Sequence, residues 1–188
     1  MESRTHGKIE KISKGRFMVS AAAANGDAAV CCGLPDGSLA FILSDGMGKG
    51  MKAAEESRLV ITELRKMLKD GVKADAAIKT LNRRMIEERG RRESFATVDL
   101  TIVDKATGRA KFYKMGAATS FVVRKGRVRR IQKPALPVGI VPGVKFSHAS
   151  VQLKPGDTVV MVSDGITEAD RSDPVSYTHL TLPTTSRV

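Results

Sequence analysis

The chain has 188 residues, of which 41% are hydrophobic and 28% charged, so it is long enough for one domain with a buried core and wholesale disorder is excluded. Lys and Arg number 32 against 20 Asp and Glu, which gives a net charge of +12. No apolar run reaches about 18 residues, and residues 1–20 lack a secretory signal, so we predict no membrane segment in this chain and a cytoplasmic location. The two adjacent cysteines, Cys31 and Cys32, exclude a disulfide framework and the ligand spacing of a zinc site.

The basic excess is concentrated in one segment. Residues 105–133 contain ten Lys or Arg and no acidic residue. Such a segment can bind nucleic acid, an anionic membrane surface or a phosphorylated protein. Because aromatic residues make up only 4% and Trp is absent, stacking platforms for bases are scarce, and no nucleic-acid partner is expected. A solvated basic face and an acidic or phosphorylated partner remain as alternatives.

Strands are predicted first along the chain. Residues 1–16 form a lead-in, and residues 17–24 are predicted as a strand. A second short strand runs through Cys32. The apolar run 39–44 has the length of a buried strand and ends in the glycine-rich loop 45–50.

Two helices are predicted in the middle of the chain. Residues 51–69 carry apolar side chains at helical spacing, and Gly71 suits the C-terminal cap of that helix. Asp75 is predicted to cap the N-terminus of a second helix. Its apolar face would contain Ile78, Leu81, Met85 and Ile86.

Strands return after Arg92. The predicted strands are 95–103, 109–115, a hairpin of 120–124 and 127–131, then 146–153 and 158–163. These strands flank a central helical pair without a regular βαβ alternation. The predicted class is therefore α+β, a sandwich of mostly antiparallel sheets with helices packed outside.

Two similar strands each end in Ser-Asp-Gly, which places Asp45 and Asp164 at strand ends, and a third acid, Asp27, follows Gly26. Any single Asp-Gly can be a simple turn. Carboxylates at the ends of neighbouring strands can instead converge on one rim of a sandwich. Clustered carboxylates repel each other unless they protonate or bind cations, and an all-oxygen site favours Mg²⁺ or Mn²⁺.

Two such ions can position a hydroxide and hold a phosphoryl group, which requires no side-chain nucleophile. The three histidines, His6, His148 and His179, are scattered, and the sequence shows no Cys-His or Ser-His-Asp signature. On the residues alone, a metal-dependent hydrolase of phosphate esters is one hypothesis among several.

A resemblance strengthens that hypothesis. The motifs that carry it occur in the order 44–50 (SDGMGKG), 94–100 (SFATVDL), 114–121 (KMGAATSF), 136–140 (LPVGI) and 153–169 (LKPGDTVVMVSDGITEA). Together they resemble the phosphatase domain of stage II sporulation protein E, within the metal-dependent type 2C protein serine/threonine phosphatases. The resemblance implies two antiparallel sheets with helices on both outer faces. It also implies hydrolysis of phosphoserine or phosphothreonine, by a metal-activated water, on an anti-anti-sigma-type regulator in sporulation or stress sigma-factor control.

The resemblance also implies roles for individual residues. Asp45 would bridge two Mn²⁺ or Mg²⁺ ions, and Gly46 would offer its backbone carbonyl to the second ion. Asp164 would bind the first ion, so Asp45 and Asp164 are the predicted catalytic residues. Asp27 would act through metal-bound water, with a plain Asn-Gly-Asp turn as the alternative. For Asp99 we predict a structural role rather than a ligand role.

The end of the chain departs from the family pattern. The family has a further acidic pair before its last strand, which would complete the first ion's ligands. Here VSYTHLTLPT resembles translated adapter sequence, so we predict a partial phosphatase domain at 17–173 and a non-native tail at 174–188. Family members often carry an upstream region, and tethering of the parent protein to a membrane is left open, as is a homodimer.

Two further alternatives remain at this stage. The helical segment 51–90 lies where the family has a regulatory switch, and it is either such a switch or simple cover. The chain as a whole is either an active phosphatase or a catalytically inactive basic module that binds an acidic or phosphorylated partner.

Overall fold

A computed structural model describes residues 5–12, 15–22, 27–46, 51–88 and 95–164, with side chains described from residue 27 onward. In chain order the elements are β1 (Thr5–Ile12), β2 (Gly15–Ala22), β3 (Asp27–Gly33), β4 (Leu39–Asp45), α1 (Met51–Lys69), α2 (Ala74–Glu88), β5 (Val98–Val103), β6 (Arg109–Met115), β7 (Ser120–Arg124), β8 (Arg127–Ile131), β9 (His148–Gln152) and β10 (Thr158–Val162). The predicted tail 174–188 lies outside the described residues, as do residues 47–50 of the glycine-rich loop.

The strands form two five-stranded sheets. The first sheet has the order β1-β2-β10-β7-β8, and the second has the order β3-β4-β5-β6-β9. The pairings are antiparallel except that β10 runs parallel to β2. The predicted α+β sandwich of mostly antiparallel sheets is confirmed. Strand β1 falls in the lead-in, where the sequence analysis assigned no strand.

Strand β4 lies at the centre of this sandwich. Leu39, Phe41 and Leu43 belong to the apolar cluster between the two sheets. Ala40 and Ile42 alternate with them and pack against the helices on the outer face of the second sheet. A strand buried on both faces needs a continuous apolar run, which is why residues 39–44 lack polar alternation.

Helices α1 and α2 cover the outer face of the second sheet. Their buried faces contain Val60, Leu64, Ile78 and Leu81, all in the cluster that also includes residues of β4, β5 and β6. The predicted bounds of the first helix are confirmed. None of the helices that the structure describes is long and apolar enough to cross a membrane.

Gly71 ends α1 as the sequence predicts. Its φ of 82° lies in the left-handed region, where a Cβ is unfavourable. The N–H of Val72 donates to the carbonyl of Met67 at 2.9 Å, and the N–H of Gly71 donates to that of Leu68 at 3.1 Å. This pair of bonds is a Schellman motif, which satisfies carbonyls that the last turn leaves open.

The predicted cap of the second helix is wrong. Asp75 is the second residue of α2, and the first helical bond runs from the N–H of Ala77 to the carbonyl of Lys73. The Asp75 carboxylate instead accepts a hydrogen bond from the Tyr113 hydroxyl at 3.2 Å. Burial and the nearby Asp75 charge raise the pKa of Tyr113 to about 12. The Asp75 side chain, which local preference assigns to the N-terminal cap of α2, thus forms a tertiary contact instead.

At the start of β10, Asp157 forms an ion pair with Arg124. Its Oδ1 accepts from Arg124 Nε at 2.7 Å, and its Oδ2 accepts from the backbone N–H of Lys154 at 2.8 Å. Although burial opposes the effect, these bonds and the Arg124 charge lower the pKa of Asp157. Asp157 is 1% exposed, whereas the Arg124 side chain is 38% exposed, so only the carboxylate of the pair is shielded from solvent.

We expect Asp157→Asn to lower the free energy of unfolding by about 1–3 kcal/mol at pH 7, because Arg124 loses its charged partner. A depressed folded-state pKa stabilises the native state above the unfolded pKa of about 3.9, and this contribution disappears as pH falls through the folded pKa. The difference between variant and parent should therefore shrink below about pH 4. Urea unfolding at pH 7 and pH 3.5 measures it, and an equal difference at both values would contradict the prediction.

Candidate active site

Two of the predicted acidic residues meet at one end of the second sheet. Asp27 begins β3 and Asp45 ends β4, and the antiparallel register places them directly opposite each other. Their carboxyl groups lie within hydrogen-bonding reach. The contact follows from local pairing, because the strands are neighbours along the chain and in the sheet.

The third acid comes from the first sheet. Asp164 lies two residues beyond the end of β10 and also reaches the carboxyl group of Asp45. Asp45 and Asp164 line one small cavity between the sheets, together with Thr97, Asp99 and Ser163. Two sheets therefore contribute carboxylates to one rim, and Asp45 contacts both of the others.

Three ionised carboxylates at this rim would repel one another. Partial burial, the hydrogen bonds that protonated Asp45 donates to Asp164 and Asp27, and the negative charges of those two residues raise the pKa of Asp45 to about 9. A carboxyl group held in this way binds either a proton or a cation at neutral pH. The donor set of carboxylate oxygens suits a hard divalent ion such as Mg²⁺ or Mn²⁺.

The described residues contain no group of three acidic, histidine or cysteine side chains arranged around a single metal position. The carboxyl groups instead meet in pairs through Asp45. Such pairwise contacts are what shared protons produce between carboxyl groups. The oxygen donors fit a hard divalent ion by their chemistry, while the described carboxyl groups meet in pairs rather than around one position.

Gly46 permits a close approach behind Asp45. A Cβ on Gly46 would lie 1.9 Å from the carbonyl oxygen of Ala53 in α1. Gly46 also forms an isolated bridge with Ala96, which in turn bridges to Val138. The backbone that would offer a carbonyl to a metal is therefore fixed between α1 and the segment before β5.

Sequence reasoning missed the residues that hold Asp45 in place. The backbone N–H of Asp45 donates to Thr97 Oγ1 at 2.9 Å, and the N–H of Thr97 donates to the Asp45 carbonyl at 2.9 Å. Ser44 Oγ donates to the Thr97 carbonyl at 2.7 Å. The available signal was the alternation of Thr97, Asp99 and Thr101 in an otherwise apolar strand, which marks a buried polar row.

We expect Thr97→Val to lower the free energy of unfolding by about 1–2 kcal/mol, because it leaves the buried N–H of Asp45 without its acceptor. Thr101→Val is the matched control, since Thr101 Oγ1 is buried and has no hydrogen-bond partner among the described residues. That substitution should be neutral or stabilising. Urea unfolding of both variants decides the matter, and equal stabilities would show that the Thr97 hydroxyl does not support Asp45.

Comparisons with known proteins confirm the family resemblance predicted from the sequence motifs. Residues 35–181 match the family model described as stage II sporulation protein E. The chain is similar to the stage II sporulation protein E of Bacillus subtilis, with 39% identity over 132 residues, and to that of Priestia megaterium, with 33% identity over 163 residues. These matches cover 70% and 87% of this chain but only 16% and 27% of the relatives, so the chain spans a minor part of their length.

A solved structure shares the fold. The chain is similar to the PP2C phosphatase domain with a fragment of the regulatory domain of the cell fate determinant SpoIIE from Bacillus subtilis, at 32% identity and a TM-score of 0.73. The match covers 92% of this chain and 48% of that one. The two-sheet arrangement is therefore one that a phosphatase domain also has.

Proposed function

The chain belongs to the stage II sporulation protein E family, and we propose from that premise that it is a Mn²⁺- or Mg²⁺-dependent protein serine/threonine phosphatase domain. The observation that carries the proposal is the convergence of Asp27, Asp45 and Asp164 from two sheets on one rim. The proposed metal ligands are these three carboxylates and the carbonyl of Gly46. Asp45 and Asp164 are the proposed catalytic residues.

The chain's own residues prepare the site in two ways. Asp45 is held at the end of β4 by Thr97 and Ser44, so its carboxylate is presented between the other two acids. The three carboxylates concentrate negative charge where divalent cations are needed. Two ions bound there would supply an activated water and neutralise charge on the phosphoryl group.

The proposed substrate is a regulatory protein phosphorylated on serine or threonine, of the anti-anti-sigma type, in sporulation or stress sigma-factor control. Family membership supports the substrate class. Charge supports a phosphorylated or acidic partner, because Arg127, Arg129 and Arg130 are exposed on the edge strand β8. A cytoplasmic location follows from such a substrate.

The direct test is phosphate release from a phosphoserine peptide and from a phosphorylated anti-anti-sigma-type protein. We expect release with Mn²⁺ or Mg²⁺ and none with EDTA. Release that is insensitive to the chelator would contradict the metal-dependent mechanism.

The exposed arginines of β8 also favour a second candidate, an inactive basic binding module. Affinity for a phosphorylated partner would then fall steeply with salt and would be the same in variants at Asp45 and Asp164. Metal-dependent turnover that is lost in those variants would exclude this candidate.

A further inference from the structure

A buried polar triad connects the two sheets beside the acidic rim. Lys114 Nζ lies 2.5 Å from Asp99 Oδ2 and donates to Ser120 Oγ at 2.8 Å. Ser120 Oγ in turn donates to Asp99 Oδ2 at 2.8 Å. All three residues are at most 1% exposed.

The triad crosses the interface between the sheets. Asp99 on β5 and Lys114 on β6 are register partners within the second sheet. Ser120 is the first residue of β7, which belongs to the first sheet. Elsewhere this interface is mostly apolar, formed by side chains such as Phe41, Phe112 and Val159, with the buried Thr101 among them. Apolar contacts are non-directional, so the directional bonds of Ser120 set the relative position of the sheets at this end.

That end is the one that carries the acidic residues. Phe121, next to Ser120, pairs with Val160 on β10, and Asp164 follows the end of β10. Asp99 also lines the cavity that contains Asp45 and Asp164. The triad therefore lies between the sheet that supplies Asp45 and the sheet that supplies Asp164.

Stability alone does not explain why a buried ion pair, Asp99 with Lys114, occupies this position. Burial raises the pKa of Asp99, opposed by the Lys114 charge and the bonds from Lys114 and Ser120. Apolar residues of similar volume in place of a buried ion pair are often neutral or stabilising. Asp99 Oδ1 accepts no hydrogen bond from the described residues, so the pair is not fully satisfied either.

We propose that Asp99, Lys114 and Ser120 form a positioning triad that sets the spacing between Asp45 and Asp164 and so sets the affinity of the rim for divalent cations. The inference rests on the proposed function, since it assigns these residues to the same metal site. In this proposal, the Ser120 hydroxyl holds the first sheet in position against the second. Asp99 has a positioning role and does not contact the substrate.

The test is Mn²⁺ binding, measured on the whole chain from the electron paramagnetic resonance signal of free Mn²⁺. Ser120→Ala removes the cross-sheet hydroxyl and leaves the Asp99–Lys114 pair within its own sheet. We expect the dissociation constant for Mn²⁺ to rise about tenfold, the lower end of what supporting residues of metal sites contribute. The matched control is Asp157→Asn, which removes a buried carboxylate at the opposite end of β10, and its dissociation constant should stay within about twofold of the parent.

A second variant separates positioning from folding. The double substitution Asp99→Leu with Lys114→Met replaces the pair by apolar side chains and should fold. We expect it to bind Mn²⁺ as weakly as Ser120→Ala. Binding like the parent in both variants, or equal weakening in Asp157→Asn, would overturn the inference and leave the proposed function standing. A parent chain whose Mn²⁺ binding is absent or unchanged by Asp45→Asn would overturn the proposed function itself, and this inference with it.

Discussion

Asp45→Asn is expected to reduce Mn²⁺-dependent phosphate release from a phosphoserine peptide by at least about 100-fold, while the fold is retained. Asp45 is the carboxylate that contacts both Asp27 and Asp164, so its loss divides the rim into two separate acids. The amide keeps the shape of the side chain and the backbone bond to Thr97. The measurement is phosphate release at saturating Mn²⁺, with circular dichroism to check the fold.

The same substitution should stabilise the metal-free protein. The pKa of Asp45 is raised to about 9 by burial and by the two neighbouring acids, which shows that a third charge is unfavourable there. Without metal, Asp45 must therefore take up a proton on folding at neutral pH, and an uncharged amide avoids that cost; a gain of 1 kcal/mol corresponds to a rise in Tm of about 2–4 °C. Asp70→Asn, at an exposed position, is the control for loss of one negative charge. Unchanged turnover in Asp45→Asn, or a fall in its Tm in EDTA, would contradict the assigned role.

Gly46→Ala is expected to cost about 1–3 kcal/mol of stability or more, and to weaken Mn²⁺ binding. The added Cβ would lie 1.9 Å from the carbonyl oxygen of Ala53 and 2.7 Å from its carbonyl carbon. These are backbone atoms and cannot rotate away, so the end of β4 or the start of α1 must move. Ala53 is 2% exposed, which leaves little room for that movement.

The control for Gly46→Ala is Gly33→Ala. A Cβ on Gly33, at the end of β3, meets nothing within 4 Å, so its substitution should change stability by less than about 0.5 kcal/mol. Urea unfolding, followed by the helical signal in circular dichroism, measures both variants. If the two alanine variants were equally stable, the contact between Gly46 and α1 would have no structural importance.

Local sequence determined much of the secondary structure. Helix α1 has its predicted bounds because its apolar spacing and the conformational freedom of Gly71 act within a few residues. The hairpin of β7 and β8 was found for the same reason, since a two-residue turn at Lys125 and Gly126 fixes its register. Local preference failed at Asp75, whose carboxylate accepts a hydrogen bond from the distant Tyr113 hydroxyl.

For the acidic rim, too, one part was predictable from sequence and the other was not. Sequence alone gave Asp27, Asp45 and Asp164 as acids at strand ends, and the pairing of β3 with β4 places the first two opposite each other. It could not give the contact between Asp45 and Asp164, which are far apart in the chain and lie on different sheets. That contact depends on how two apolar faces pack, and because apolar contacts are non-directional, neither strand by itself specifies which face it packs against.

The residues that support the rim could not be predicted from the sequence for a related reason. Thr97 and Ser120 are common polar residues in strands, and each depends for its role on a partner at least 21 positions away, Asp45 for Thr97 and Asp99 for Ser120. The sequence by itself thus determined most of the elements, the fold class and the candidate acids, but not strand β1. Only the tertiary structure decided which acids meet and what holds them, because those contacts join segments that only the packing of the two sheets brings together.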